Sequence, residues 1–236
     1  MPFALCLVKG DADPSECPLL TEDESRDLGN SITRSDWQEE LIHSLRLKVK
    51  DKDLSALAGD LGGSFHNDTL LINCLGREFE ISPGGEIQSQ GPITPWISIL
   101  LLHYLNTHGR AGLSGKWVSF SELKSGMVKA SSFLREAEDP IKDLFERDSA
   151  KTAAAIEKLG AVRSDGFPTP KAWMLFLLPK VPVMILYWPQ EDEFPAKVKI
   201  LFDQTADHFL DVESLMFLLE GLVHNLEKVL SLDNQA

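Results

Sequence analysis

Closely spaced apolar strands constrain the fold of this 236-residue chain more than any other feature. Segments 172–178 and 183–188 are apolar runs, and a short connection that contains Pro179 and Pro182 joins them. A third strand is predicted over 197–202, where apolar residues alternate with lysines. Strands joined by such short connections pair antiparallel, because a parallel pair needs a crossover of about a dozen or more residues.

The remaining pattern favours an α+β fold. Alternation predicts two more neighbouring strands over 69–75 and 78–81, while the helices lie in separate stretches of the chain. We therefore expect mostly antiparallel sheet packed with helices in a single main domain over 35–231, not a doubly wound parallel sheet. Helices are predicted over 54–61, 93–106, 131–159 and 212–230, the third with breaks near Asp139-Pro140 and Arg147-Asp148.

Charge and composition exclude several classes of partner. The chain has 23 Lys and Arg against 36 Asp and Glu, a net charge of −13, which disfavours nucleic acid and anionic membrane surfaces. No apolar run reaches the length of about twenty residues that a membrane span needs. The N-terminus lacks the features of a secretory signal, and three scattered cysteines make no disulfide framework. We expect a cytoplasmic protein.

The N-terminus carries a short motif that is typical of iron–sulfur proteins. Residues 3–9 are predicted to form an apolar helix that ends at Gly10, and a polar loop then leads to Cys17-Pro18. A cysteine followed by proline often closes an iron–sulfur ligand run. Residues 1–20 resemble the tail of the four-cysteine iron–sulfur module of the corrinoid iron–sulfur protein, with 21–34 as a linker. The alternative is an ordinary apolar helix followed by a free thiol.

This resemblance implies that Cys17 is an orphaned iron–sulfur ligand. Cys6 and Cys74 do not match the spacing of the module, so we expect no cofactor and no intact metal site in the chain as given. The motif also predicts that the native reading frame starts upstream of Met1. A 4Fe-4S cluster is expected if an upstream extension restores the missing cysteines.

Two further segments contain candidate site residues. His103 lies in the apolar helix predicted over 93–106, where it is either a metal or acid–base group or a hydrogen-bonded core residue. Trp117 lies in a strand with alternating aromatic residues, which is either a pocket wall or a plain edge strand. The glycine-rich connection before it, over 109–115, only partly matches a phosphate-binding loop and is better explained as a tight turn.

An acidic loop is the third candidate segment. Glu191, Asp192 and Glu193 follow Trp188 and precede Phe194, between two predicted strands. This pattern indicates either a solvated hairpin tip or a rigid acidic surface beside an aromatic wall. Asp203, at the end of the next strand, is a further carboxylate that could converge on the same point.

The three segments together resemble the domain-of-unknown-function family 3786 of anaerobic bacteria and archaea. The resemblance rests on the Pro-Trp helix that ends in His103-Tyr104, the Gly-Lys-Trp-Val-Ser-Phe strand and the Asp-Glu-Phe-Pro…Leu-Phe-Asp segment, and it covers about residues 37–230. By domain architecture, the resemblance implies an association with iron–sulfur and corrinoid one-carbon metabolism. It does not imply a particular activity.

Two hypotheses about function follow. The first is a non-catalytic module that docks onto, or senses, an iron–sulfur or corrinoid protein. The second is a small-molecule enzyme with a pocket built from His103, Trp117, Trp188, the acidic loop and Asp203. Convergence of these residues on one pocket would favour the enzyme, and a scattered arrangement would favour the docking module.

Overall fold

The structure is a computed structural model that describes residues 14–31, 37–107, 111–191 and 193–233. The chain divides into two compact units, residues 1–44 and residues 45–236. Within the described residues, no helix is both long and apolar enough to cross a bilayer.

The first unit contains a short 3₁₀ turn, Pro14–Glu16, and helix α1, Glu22–Ser31. A capping box begins α1: the Glu24 backbone N–H donates to Thr21 Oγ1 over 3.3 Å, and the Thr21 N–H donates to Glu24 Oε2 over 2.9 Å. The polar segment 21–34, expected to be a linker, therefore contains a helix that starts with its own cap. Helix α2, Trp37–Lys50, runs across the boundary between the units.

The second unit alternates helices with short runs of strand. In chain order its elements are α3 (Leu54–Leu61), β1 (Ser64–His66), β2 (Thr69–Cys74), β3 (Arg77–Ile81), β4 (Ile87–Gln88), α4 (Pro95–Thr107), β5 (Trp117–Ser119), α5 (Gly126–Phe133), a π-helical turn (Leu134–Glu138), α6 (Asp139–Arg147), α7 (Ser149–Lys158), β6 (Val162–Arg163), β7 (Lys171–Leu178), β8 (Val181–Trp188), β9 (Lys197–Asp203) and α8 (Val212–Asp233).

The strands form two antiparallel sheets, in the orders β1-β2-β3-β4 and β5-β9-β8-β7-β6. The expected α+β fold with mostly antiparallel sheet is confirmed. The connection between β7 and β8 is tighter than predicted, because β8 begins at Val181 and includes Pro182. Pro182 has no N–H for the ladder, and the pairing of β7 with β8 shifts register between Phe176 and Leu178, beside it.

Aromatic side chains bind the helices to one face of the five-stranded sheet. The ring of Phe145 on α6 lies 4.0 Å from that of Tyr187 and 5.6 Å from that of Trp173. The ring of Phe133 on α5 lies 5.7 Å from that of Phe202. Tyr187, Trp173 and Phe202 alternate along their strands toward the same side, which is the core side of the sheet.

The predicted helix break at Asp139-Pro140 is wrong. The chain stays helical from Gly126 to Arg147, and the π-helical turn Leu134–Glu138 comes directly before the proline. Pro140 cannot donate a backbone hydrogen bond, and its ring would clash with a carbonyl one regular turn back. The wider turn removes this conflict without ending the helix. The second predicted break is confirmed, because Asp148 is extended and separates α6 from α7.

Candidate functional site

Two backbone hydrogen bonds close the connection between β8 and β9. The Glu191 N–H donates to the Phe194 carbonyl over 3.1 Å, and the Phe194 N–H donates to the Glu191 carbonyl over 2.8 Å. Pro189 and Pro195 flank this pair and restrict the backbone further. Asp192 lies outside the described residues.

The loop presents an aromatic ring next to carboxylates. Phe194 is 76% exposed, which is unusual for a phenylalanine, and Glu191 and Glu193, which precede it in the chain, are exposed as well. The two reciprocal backbone bonds hold Glu191 and Phe194 against each other. From the sequence, the flanking rings of Trp188 and Phe194 are expected to anchor the loop against the sheet, and for Phe194 the exposed ring shows that this expectation is wrong.

Trp188 fixes the base of the loop. Its indole Nε1–H donates to the Pro168 carbonyl over 2.9 Å, and Lys197 Nζ lies 5.7 Å from the centre of the indole ring. Lys197 is also the cross-strand partner of Trp188, so the cation lies beside the ring on the same face of the sheet. The half-buried indole therefore joins strand β8, strand β9 and the segment around Pro168.

Trp117 lies on the same sheet face as Trp188. Both rings pack against a buried cluster of Ala172, Met184 and Leu186 on the side of the sheet opposite Phe133 and Phe145. Half-buried side chains complete this apolar cluster, namely Phe167, Met174 and Leu201. The structure thus brings the two predicted tryptophans, Trp117 and Trp188, to one surface of the sheet.

Asp203 is a structural anchor. Its carboxylate is buried and accepts hydrogen bonds from the backbone N–H groups of Ser114 (3.1 Å), Gly115 (2.7 Å) and Thr205 (3.0 Å). The hydroxyls of Ser114 and Thr205 also donate to it, over 3.0 Å and 2.7 Å. Burial alone raises the pKa of Asp203, but these donors, led by Thr205, outweigh it and hold the pKa below its usual value.

The same bonds account for the glycine-rich connection. The amides of Ser114 and Gly115 point at the Asp203 carboxylate, and Gly115 has a φ of +68°, which favours glycine. The amides that a phosphate-binding loop would offer to a ligand are therefore used inside the protein. This agrees with the interpretation of the segment as a tight turn.

His103 lies on a helix, whereas the other candidate residues lie on strands of the five-stranded sheet or on the β8–β9 loop. It is half-buried on α4, and within the described residues no hydrogen bond or ion pair joins its imidazole to another side chain. The adjacent Tyr104 is fully buried: its hydroxyl donates to the Leu61 carbonyl over 2.7 Å and accepts from the Lys180 N–H over 3.1 Å. Burial raises the pKa of Tyr104. This tyrosine links α3, α4 and the β7–β8 turn.

Two of the three cysteines, Cys17 and Cys74, lie within the described residues. Cys17 is half-buried in a turn that follows Pro14–Glu16, and Cys6 lies outside the described residues. Cys74 is buried, which raises the pKa of its thiol to about 12, although the charge of Arg77 opposes this. Among the described residues there is no group of three or more His, Cys, Asp or Glu side chains that could hold a metal ion.

Comparison with known proteins places most of the chain in one family. The family described as Domain of unknown function (DUF3786) matches residues 53–225. The chain belongs to this family. No curated protein and no solved structure matches the chain. The matched part of this DUF3786 chain includes Trp117, Trp188, the β8–β9 loop and Asp203, whereas Cys17 precedes it.

The DUF3786 region contains a buried carboxylate, that of Glu138, which the sequence did not predict. Glu138, in the π-helical turn, accepts from the Ile200 N–H over 3.0 Å, and its Oε1 lies 3.1 Å from Lys199 Nζ. Strand β5 pairs with β9 only over 201–203, so Glu138 takes the place of a strand at Ile200. No local pattern marks this residue, because its partners lie about sixty positions later.

Proposed function

We propose that this chain is a non-catalytic docking module that recognises a partner protein through the β8–β9 loop. The observation that carries the proposal is Phe194, an exposed aromatic ring whose backbone is paired with that of Glu191, beside the exposed carboxylates of Glu191 and Glu193. Aromatic anchors of this kind are enriched among the residues that dominate binding energy at protein interfaces.

The backbone pairing in the loop supports recognition in preference to a solvated hairpin tip. A loop already closed by two backbone hydrogen bonds loses little conformational freedom when it binds. Phe194 would enter an apolar pocket of the partner, and Glu191 and Glu193 would face basic residues around that pocket. Exposed carboxylates at the rim mainly raise the association rate and set the orientation.

The partner is an iron–sulfur or corrinoid protein of anaerobic redox or one-carbon metabolism. Support for this finer assignment comes from the resemblance of the N-terminus to the tail of the four-cysteine module, with Cys17 as the remaining ligand. A cytoplasmic location is part of the same proposal. The alternative of a small-molecule enzyme needs acids that converge with the aromatic residues. The internal hydrogen bonds of Asp203 and the position of His103 on α4 favour the docking module over it.

Calorimetric titration of a purified corrinoid iron–sulfur protein with the chain tests the proposal. We expect saturable binding that Phe194→Ser weakens about thirtyfold, the effect of removing an interface anchor worth roughly 2 kcal/mol. Replacing Glu191 and Glu193 by Gln and Asp192 by Ser should slow association, and this effect should fade at high salt.

Val128→Ser is the matched control, because Val128 is 82% exposed on α5 and is not part of the loop. Glu191, Glu193, Phe194 and Val128 are exposed, so their substitution should leave the melting temperature nearly unchanged. Absence of binding, or an equal loss in Val128→Ser, would contradict the proposed function.

A further inference from the structure

Three helices enclose a groove that shares no lining residue with the β8–β9 loop. The end of α6, the first turn of α7 and the last turns of α8 surround a volume of about 470 Å³. This lies within the range of about 300–1,000 Å³ that small-molecule sites occupy. The residues that line it are Leu144, Arg147, Asp148, Lys151, Thr152, Glu227, Leu230 and Ser231.

The groove has an apolar part and a charged rim. Leu144 and Leu230 contribute aliphatic surface from α6 and α8. Arg147 and Lys151 stand four positions apart across the junction of α6 and α7, and both are exposed. With two carboxylates in the same lining the groove is charge-balanced, whereas the chain as a whole has a net charge of −13.

Arg147 is the free donor of this groove. Its guanidinium makes no hydrogen bond or ion pair with any residue of the described ranges, whereas the neighbouring polar groups are committed. Asp148 Oδ1 accepts from the N–H groups of Ala150 and Lys151, so the start of α7 is already capped. The Thr152 hydroxyl donates to the Leu144 carbonyl over 2.9 Å.

The charges also limit what the groove can accept. Asp148 and Glu227 place two carboxylates in the same lining, so a dianion such as phosphate would be repelled on one side while it is attracted on the other. An uncharged ligand would gain no ion pair with the guanidinium. A ligand with one negative charge and an aliphatic chain meets both conditions.

We propose that the groove binds a small aliphatic monocarboxylate. The ligand carboxylate pairs with Arg147, because a guanidinium offers two parallel donors to a carboxylate. The alkyl chain lies along Leu144 and Leu230 and gains affinity with each buried methylene.

Calorimetric titration with sodium butyrate, hexanoate and octanoate tests the inference on the full chain. We expect affinity to rise with chain length, and 1-octanol to bind at least tenfold more weakly than octanoate. Arg147→Gln should weaken octanoate binding at least tenfold. Glu227→Gln should strengthen it several-fold, because it removes a repelling charge.

Two controls make the result specific. Arg135→Gln removes an exposed arginine that does not line the groove, and it should leave binding unchanged. Leu230→Ala should weaken octanoate more than butyrate, since only the longer chain reaches that surface. Absence of saturable binding for all three acids would overturn the inference. So would an equal effect of Arg135→Gln and Arg147→Gln, or tighter binding of inorganic phosphate than of octanoate.

Discussion

At the scale of single residues, Asp203 shows how burial changes the meaning of a carboxylate. The sequence placed it among the acids of a possible site, since it ends a strand next to aromatic residues. In the structure it accepts five hydrogen bonds. Two of the donor residues, Ser114 and Gly115, lie 89 and 88 positions earlier in the chain. No pattern around Asp203 contains this information.

Replacing Asp203 by Ala should destabilise the protein by about 2–3 kcal/mol at pH 7, because it leaves buried N–H donors without an acceptor. The folded protein holds the pKa of Asp203 below its unfolded value. Its contribution is therefore present above the unfolded pKa and is lost as the pH falls through the folded pKa. The difference between wild type and variant should shrink in strongly acidic buffer.

Urea unfolding followed across pH 7 to pH 3 measures this difference. Asp165→Ala, at an exposed carboxylate, is the control and should cost within about half a kcal/mol. Equal stability of Asp203→Ala and wild type at pH 7 would show that the carboxylate is not an anchor.

At the scale of elements, local sequence patterns predicted most strands and helices. They failed where a contact with a distant part of the chain determines the local structure. The strands of both main hairpins follow from alternation and short connections, with ends within a few residues of those observed. The π-helical turn was predicted as a break, because Pro140 is visible in the sequence and the long-range partner of Glu138 is not. Helix α1 was hidden by its polar composition, although Thr21 and Glu24 form a recognisable capping box.

The buried Glu138 makes the π-helical turn testable. Glu138→Ala should cost about 1–3 kcal/mol, since it leaves the Ile200 N–H without an acceptor in the interior and removes the partner of the partly exposed Lys199. Glu138→Gln should cost less, because an amide oxygen can still accept from Ile200. Chemical denaturation gives the stabilities, and hydrogen exchange at the Ile200 amide reports the lost bond directly.

Glu136→Ala serves as the comparison, because its ion pair with Arg135 lies at the surface and should contribute less than about 1 kcal/mol. If Glu138→Ala costs no more than Glu136→Ala, the carboxylate does not complete the edge of β9.

At the scale of the whole molecule, the fold class was predictable and the surfaces were only partly so. Neighbouring strands and segregated helices are enough to indicate an α+β fold. The acidic loop and the two tryptophans are visible as composition, but the exposure of Phe194 depends on how the loop closes. The groove between α6, α7 and α8 could not be foreseen, because its lining comes from segments about eighty residues apart.

The last prediction concerns metal binding by the whole chain. After anaerobic reconstitution with iron and sulfide, we expect the 236-residue chain to hold far less than one iron–sulfur cluster per molecule. A cubane cluster takes four thiolates, and this sequence has three cysteines. Cys74 is buried with a pKa of about 12, so its thiolate is strongly disfavoured near neutral pH. Each chain then offers at most Cys6 and Cys17.

Iron and sulfide analysis of the desalted protein measures the cluster content, and Cys17→Ser should leave the small residual iron unchanged. A chain engineered to carry three further cysteines ahead of Met1, at the spacing of the four-cysteine module, should instead take up about one cluster, and there Cys17→Ser should abolish it. A stoichiometric cluster in the 236-residue chain that is lost in Cys17→Ser would contradict the prediction. It would mean that two chains share one cluster through Cys6 and Cys17, because a single molecule has too few accessible thiolates to hold one alone.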